Sequence, residues 1–101
     1  MNQPKSNRPI MILLDSLGKR WTLRIMWELR NGPFTFRSLQ EQCDMLSPTT
    51  LNSRLRDMKT LEIIERVSDG YQLTVKGYDL AKMMIGLTEW ADKEIKPPAK
   101  S

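Results

Sequence analysis

Turn-forming residues divide this chain into short segments, and their positions limit the folds that it can adopt. Gly18 interrupts a first apolar pattern, Asn31-Gly32-Pro33 ends a second one, and Asp69-Gly70 lies between two short apolar runs. Glycine and proline stop helices, and Asp-Gly is typical of tight hairpins. The segmentation therefore predicts a series of short helices, one hairpin, and a last segment long enough for an extended helix.

Two helices are predicted before residue 31. The first begins at Pro9 and ends at Gly18, and the second runs from Lys19 to Arg30. In both segments the apolar residues recur at helical spacing. These residues are Ile10, Leu13, Leu14 and Leu17 in the first helix, and Trp21, Leu23, Ile25, Met26, Trp27 and Leu29 in the second.

A short connector and a third helix follow. Phe34-Thr35-Phe36 alternates apolar and polar residues, which predicts a short strand or an extended connector. Residues 37–43 place Leu39 and Cys43 four positions apart, on one face of a third helix.

The strongest helix start in the chain is Ser47-Pro48, with serine as N-cap and proline at the first helical position. A fourth helix is predicted from here to about residue 60. Leu51, Leu55 and Met58 are spaced four and three apart and define a single buried stripe.

Two strands and a long helix complete the chain. Residues 63–67 and 71–73 are predicted to pair across a tight turn, and Thr74 can cap a last helix that extends to about Ile95. The predicted fold is mainly α with a small β-hairpin, in the order of a winged helix-turn-helix, with residues 9–96 as its domain. Residues 1–8 are expected to be a flexible arm and residues 97–101 a flexible tail.

The fourth helix is the candidate DNA-reading element, because the helix after the turn enters the major groove in this motif. If its leucines point inward, helical geometry turns Thr49, Asn52, Ser53 and Arg56 outward. Asn and Arg can read adenine and guanine in bidentate fashion, while Ser and Thr can hold phosphates. A polar outer face is also what any solvated helix presents, so the position of the helix in the motif carries the prediction.

Further basic and helix-start residues are predicted to contact phosphates. The free N–H groups at the start of the fourth helix, near Pro48 and Thr49, favour a phosphate, and Ser47 and Pro48 are assigned to the DNA-binding surface. Arg54 could instead bind an intramolecular carboxylate such as Asp57 or Glu41. The other basic residues assigned to DNA are Lys59, Arg37 and, in the hairpin, Arg66.

Composition excludes several classes of protein and leaves one rival. The chain has no His and one Cys, which excludes Ser-His-Asp and Cys-His hydrolases, internal disulfides and four-thiolate zinc sites, so no enzyme activity, metal or cofactor is expected. Residues 1–24 carry the whole net charge of +4, and the rest of the chain sums to zero. That balance keeps open an alternative function, a protein-binding winged-helix adaptor or anti-activator with little DNA binding.

Several motifs together resemble the HxlR-type winged-helix regulators of bacteria and archaea, which are related to the MarR type. The matching residues are Gly18-Lys19-Arg20-Trp21-Thr22 with Ile25 and Leu29, then Phe36-Arg37-Ser38-Leu39, then Ser47, Leu51, Arg54-Leu55 and Met58, and finally Leu73-Thr74, Gly77, Leu80 and Trp90. The order of Phe36 and Arg37 is reversed, the hairpin is shorter than usual, and the cysteine that many members carry near the first helix is missing.

The resemblance implies a homodimeric repressor or activator whose first and last helices form the dimer interface. The last helix supports this independently, since Leu80, Met84, Leu87 and Ala91 can face the core while other apolar residues lie to one side. The residues assigned to the interface are Ile10, Leu13, Leu14, Met83, Leu87, Trp90 and Ile95.

The remaining notable residues have two interpretations each. Trp21, Trp27 and Trp90 could stack on bases but lie on apolar helical stripes, which favours packing. Cys43 is expected to be a buried, inert thiol rather than a redox sensor. The seven methionines fill gaps or line a pocket for an apolar small-molecule effector. No segment is long and apolar enough for a membrane helix, and a cytoplasmic location is expected.

Overall fold

The computed structural model describes residues 8–98, so most of the predicted arm and the last three residues of the predicted tail lie outside the described residues. Five helices and one hairpin follow each other along the chain. They are α1 (Pro9–Leu17), α2 (Thr22–Leu29), α3 (Phe36–Gln42), α4 (Pro48–Thr60), β1 (Ile64–Val67), β2 (Gly70–Leu73) and α5 (Val75–Glu94). This confirms the mainly helical architecture with a small antiparallel hairpin that the sequence predicts.

The predicted second helix begins three residues later than expected. Residues 19–21 form a turn, in which the amide of Lys19 donates to the carbonyl of Ser16 and that of Thr22 to the carbonyl of Lys19. Trp21 has a φ of 78°, in the left-handed region, where a right-handed helix cannot continue. The helix therefore starts only at Thr22.

The connector before α3 is a single bridge to the hairpin. Phe34 and Tyr71 exchange both backbone hydrogen bonds, at 3.0 and 2.9 Å. Thr35 then caps α3 by accepting a hydrogen bond from the amide of Ser38, so that Phe36 is already helical rather than extended. The bridge holds the hairpin against the start of the helix-turn-helix.

The hairpin pairs Ile64 with Leu73 and Val67 with Gly70, which leaves two residues in the turn. Gly70 is thus the first residue of β2 and not a turn residue. A Cβ at this position would collide with the carbonyl of Phe34, so the close approach of the two backbones requires glycine here.

Residue choice at the helix starts explains α4 and α5. Ser47 Oγ accepts a hydrogen bond from the amide of Thr50, and Thr74 Oγ1 accepts one from the amide of Gly77. Both predicted N-caps are therefore confirmed. α5 ends at Glu94, one residue before the predicted end, and Ile95 has extended backbone geometry.

The core lies between α2, α3, α4 and the hairpin. Its largest fully buried side chains are Ile25, Met26, Leu29, Leu39, Leu51, Leu55 and Met58. The stripe predicted for α4 is thus confirmed. α1 and α5 lie beside this core and contribute little to it: of the long apolar residues of α1, Leu13 is partly buried against the core, and Ala81 is the buried apolar residue of α5. Within residues 8–98, no helix has the length and apolar character needed to cross a membrane.

Candidate nucleic-acid interface

The side of α4 opposite its buried stripe is open to solvent. Thr49, Asn52 and Arg56 are exposed, and Ser53 is half-buried at the edge of the same side. Successive positions of a helix are rotated by about 100°, which places all four in one outward sector. The structure thus brings together the four residues that the sequence assigns to base reading.

The side chains of Asn52 and Arg56 are available to a ligand. Across residues 8–98, the side chains of Asn52 and Arg56 make none of the intramolecular hydrogen bonds or ion pairs, although the carbonyl of Arg56 accepts one from Thr60. Asn offers one acceptor and two donors, and Arg offers a planar fork of donors. Each of these two side chains can therefore form two hydrogen bonds with the edge of a base.

The start of α4 is ordered by its own cap. Ser47 Oγ accepts from the Thr50 amide at 3.2 Å and donates to Thr50 Oγ1 at 3.1 Å. The Ser47 hydroxyl is thereby occupied within the helix start. Pro48 is exposed beside it, and the first amides of the helix still give this end a partial positive charge.

Arg54 is engaged inside the molecule, but not by a carboxylate. Its Nε donates to the carbonyl oxygen of Arg20 at 2.7 Å, and its Nη1 to Ser53 Oγ at 3.4 Å. Of the two carboxylates named from the sequence, Asp57 binds Lys19 Nζ at 2.8 Å and Glu41 Oε2 lies 3.5 Å from Arg37 Nε. Arg54 therefore has an intramolecular partner, but this partner is the backbone of the α1–α2 connection and not a carboxylate.

Two other predicted phosphate partners remain accessible. The Arg37 side chain is 87% exposed and its Nε lies 3.5 Å from Glu41 Oε2, a surface pair that contributes little to stability. Lys59 is exposed in the last turn of α4. Both can turn towards a polyanion without loss of core contacts.

The hairpin offers a small binding surface. Arg66 is exposed in β1, with its guanidinium carbon 5.6 Å from the centre of the Tyr71 ring. Glu65 in the neighbouring position accepts a hydrogen bond from Gln72 at 2.7 Å. As the sequence predicts, Arg66 is the single basic residue of this two-stranded wing.

The contacts of the α1–α2 connection were not predicted from the sequence. Residues 18–21, named here the α1–α2 turn, lie against one flank of α4 through the bonds of Lys19 and Arg54. The basic residues at positions 19, 20 and 24 could have indicated such contacts, but the segment was interpreted as part of a helix. Arg24 has a structural role, since its Nη2 donates to the carbonyl of Gln42 at 2.6 Å.

A second uncovered surface consists of apolar residues on α1 and α5. Trp90 is 56% exposed and Leu87, which the sequence pattern placed towards the core, is 55% exposed. Leu13 is partly buried, and Leu80, Met84 and Ala91 are half-buried. The other exposed members of the predicted interface are Ile10, Leu14, Met83 and Ile95.

The structure also shows where the tryptophans, two of the methionines and the cysteine discussed in the sequence lie. Trp21 and Trp27 are half-buried, and the Arg30 guanidinium stacks over the Trp27 ring at 3.6 Å. Met26 and Met84 line a cavity of about 250 Å³ between α2 and α5. Cys43 is buried, and burial raises the pKa of its thiol, which keeps it in the unreactive protonated form.

Comparisons with known proteins agree with this geometry. The chain is 35% identical to the HTH-type transcriptional regulator YodB of Bacillus subtilis, over 80% of this chain and 79% of that protein. It is 30% identical to the uncharacterized HTH-type regulator YvaP of the same organism, over 96% of both chains. The structure of the reduced form of YodB superimposes with a TM-score of 0.80, at 31% identity, and covers 93% of this chain and 100% of that one. The model of the HxlR-like helix-turn-helix family matches residues 16–99, and the chain therefore belongs to this family of winged-helix, DNA-binding transcription regulators.

Proposed function

We propose that this protein is a homodimeric, sequence-specific regulator that inserts α4 into the major groove of a near-palindromic operator. The observation that carries the proposal is the two-sided character of α4. One side is buried among core residues, while the opposite side presents Asn52 and Arg56 with unoccupied polar groups within the described part of the chain.

The groove and the helix match in size and chemistry. A major groove is about 12 Å wide and admits one α-helix with its side chains. In the proposed complex Arg56 and Asn52 read base edges, and Thr49 and Ser53 contact bases or nearby phosphates. Ser47 and Pro48 bring the positive end of the helix to the backbone.

Phosphate contacts are proposed for the basic residues around α4. Lys59 and Arg37 are exposed on α4 and α3, and Arg66 reaches out from the wing. Neutralisation of phosphates by such side chains releases counterions, which makes the affinity depend on salt. Arg54 is not counted among these residues, because its Nε is already bonded to a carbonyl.

A second copy of the chain is the proposed partner of the apolar surface on α1 and α5. Exposed apolar residues on this scale mark an interface, and a two-fold dimer would cover the same patch on both copies. Two α4 helices would then face half-sites about 34 Å apart. We further propose that the protein acts in the cytoplasm. The cavity beside Met26 and Met84 is the candidate site for a small apolar effector.

One observation favours the rival function of a protein-binding adaptor. Residues 25–101 carry no net charge, and the wing has a single basic residue. An adaptor would use the exposed methionine side of α5, or α4 itself, to dock another protein. It would bind DNA weakly or not at all.

Salt titration separates the two functions. Binding of the purified protein to a pool of random and promoter-derived duplexes is measured at increasing salt by fluorescence anisotropy. A regulator that makes about eight phosphate contacts per dimer should give a log-log slope near −7. A flat or absent signal would favour the adaptor, and selection of bound sequences from a random library would then fail to enrich an operator.

A further inference from the structure

The α1–α2 turn is fastened to the candidate recognition helix by two bonds that run in opposite directions. Lys19 in the turn donates to Asp57 of α4 at 2.8 Å, and Arg54 of α4 donates to the carbonyl of Arg20 in the turn at 2.7 Å. Asp57 and Arg54 lie three positions apart and so occupy the same flank of the helix. The turn therefore lies along this flank.

When α4 lies in a major groove, this flank of the helix faces a wall of the groove. A helix with its side chains is about 10–12 Å across and fills a groove that is about 12 Å wide. Whatever is bonded to the side of the helix must then lie at the wall of the groove, which is the sugar–phosphate backbone. The α1–α2 turn is in this position.

The turn offers one unoccupied cation at this place. The Arg20 side chain is exposed, and no hydrogen bond or ion pair found in residues 8–98 uses its guanidinium. It lines an open cleft of about 510 Å³ together with Lys19, Trp21 and Arg24. Lys19 and Arg24 form ion pairs with Asp57 and Glu28, which leaves Arg20 as the cation of this cleft without a carboxylate partner among the described residues.

We propose that Arg20 binds a phosphate of the duplex backbone, and that Arg54 is a positioning residue that holds the turn carrying Arg20 against α4. Arg54 thus acts through the Arg20 carbonyl rather than by a phosphate contact of its own. This role rests on the proposed function, since it requires α4 to enter the groove. It extends the DNA-binding surface to the connection between the first two helices.

The test uses the salt dependence of binding to a random-sequence duplex, with Arg20→Met and the matched control Lys82→Met. Both variants remove one positive charge, but Lys82 lies on the exposed side of α5. Arg20→Met keeps the carbonyl that Arg54 binds, so the turn should stay in place. The log-log slope should become shallower by about 0.9 per protomer for Arg20→Met and stay unchanged for Lys82→Met. Equal slopes for the two variants would overturn the proposal.

A double-mutant cycle tests the positioning role of Arg54. Arg54→Met should weaken binding to the random duplex in the wild-type background, and should have little further effect when Arg20 is already Met. If Arg54 bound a phosphate directly, its substitution would lower the slope by the same amount in both backgrounds, which would contradict the positioning role. Circular dichroism checks that the variants are folded, and if Arg54→Met does not fold, the slope of Arg20→Met alone decides the proposal.

The failure of this inference can be distinguished from the failure of the proposed function. A wild-type protein that shows no salt-dependent DNA binding contradicts both. A wild-type protein that binds with a steep slope, together with an Arg20→Met variant of the same slope, contradicts only the role of the α1–α2 turn.

Discussion

α4 and α5 both leave one side uncovered, and the two uncovered sides differ in chemistry. α4 buries Leu51, Leu55 and Met58 and turns polar residues to solvent. α5 buries only Gly77 and Ala81 fully and leaves long apolar side chains exposed. A polar side is stable in water as it is, whereas exposed apolar area costs about 25 cal/mol per Å² relative to burial. This difference is the reason for the two partners proposed above, a polyanion for α4 and an apolar surface for α5.

The largest expected effect concerns the buried side of α4. Leu55→Ala should lower the free energy of unfolding by about 2–5 kcal/mol, because it removes buried methyl groups and leaves a cavity. Asn52→Ala, on the exposed side of the same helix, should change it by less than about 0.5 kcal/mol. Urea unfolding followed by circular dichroism measures both. Similar losses for the two variants would mean that α4 is not two-sided.

The apolar side of α5 should give the next largest effect. Trp90→Ala should weaken dimerisation by about 2–4 kcal/mol, because a large aromatic side chain that is buried on association contributes strongly to binding. Sedimentation equilibrium measures the dimer dissociation constant. Lys93→Ala, a change of an exposed polar residue on the same helix, is the control and should leave it unchanged. A wild-type monomer, or equal behaviour of the two variants, would remove the basis for a dimer.

Base reading by α4 should show a smaller but more selective effect. Arg56→Ala should lose about 1–3 kcal/mol on a selected operator and little on random DNA, since a bidentate base contact discriminates between sequences. Lys59→Ala should instead weaken both by a similar factor, as expected for a phosphate contact. Equal losses on both duplexes for Arg56→Ala would mean that Arg56 contacts the phosphate backbone and does not read a base.

The smallest effect is expected from Cys43, which is covered in a single copy of the chain. Burial raises the pKa of its thiol, so the folded protein keeps the thiol proton to higher pH than the unfolded chain does. Above the ordinary thiol pKa the unfolded chain therefore binds fewer protons, and stability falls as pH rises, by at most about 1.4 kcal/mol per pH unit.

Unfolding in urea across this alkaline range measures the slope for the wild type and for Cys43→Ala. The variant should lose the part of the slope that the thiol contributes. An identical slope would show that Cys43 is not shielded from solvent.

Labelling of the native protein by a thiol reagent should likewise be slow at neutral pH. Fast labelling would contradict the inert role of Cys43 and favour a redox role for this residue.

The parts of the structure that follow local rules could be predicted from the sequence. The start of α4 follows from Ser47 and Pro48, which satisfy the first amides and preset the backbone, and its buried stripe follows from helical spacing. The outward side of the candidate site follows from the same geometry. Each of these features depends on residues within a few positions of one another.

The features set by distant contacts could not be predicted. The left-handed backbone of Trp21 lies in a turn held by α4, more than 30 positions away in the chain. Gly70 has to be glycine because the carbonyl of Phe34 lies against it, and no local signal shows that contact. The exposure of Leu87 depends on where the core ends, which the helical pattern of α5 alone does not reveal.

A titration of the isotope-labelled protein with a selected operator duplex, followed by amide and indole NMR shifts, tests the central claim most directly. If α4 enters the groove, the largest shift changes should occur at Thr49, Asn52 and Arg56, with little change at the indole of Trp90. Large changes at Trp90 and its neighbours on α5, with the outward residues of α4 unaffected, would contradict DNA recognition by this helix.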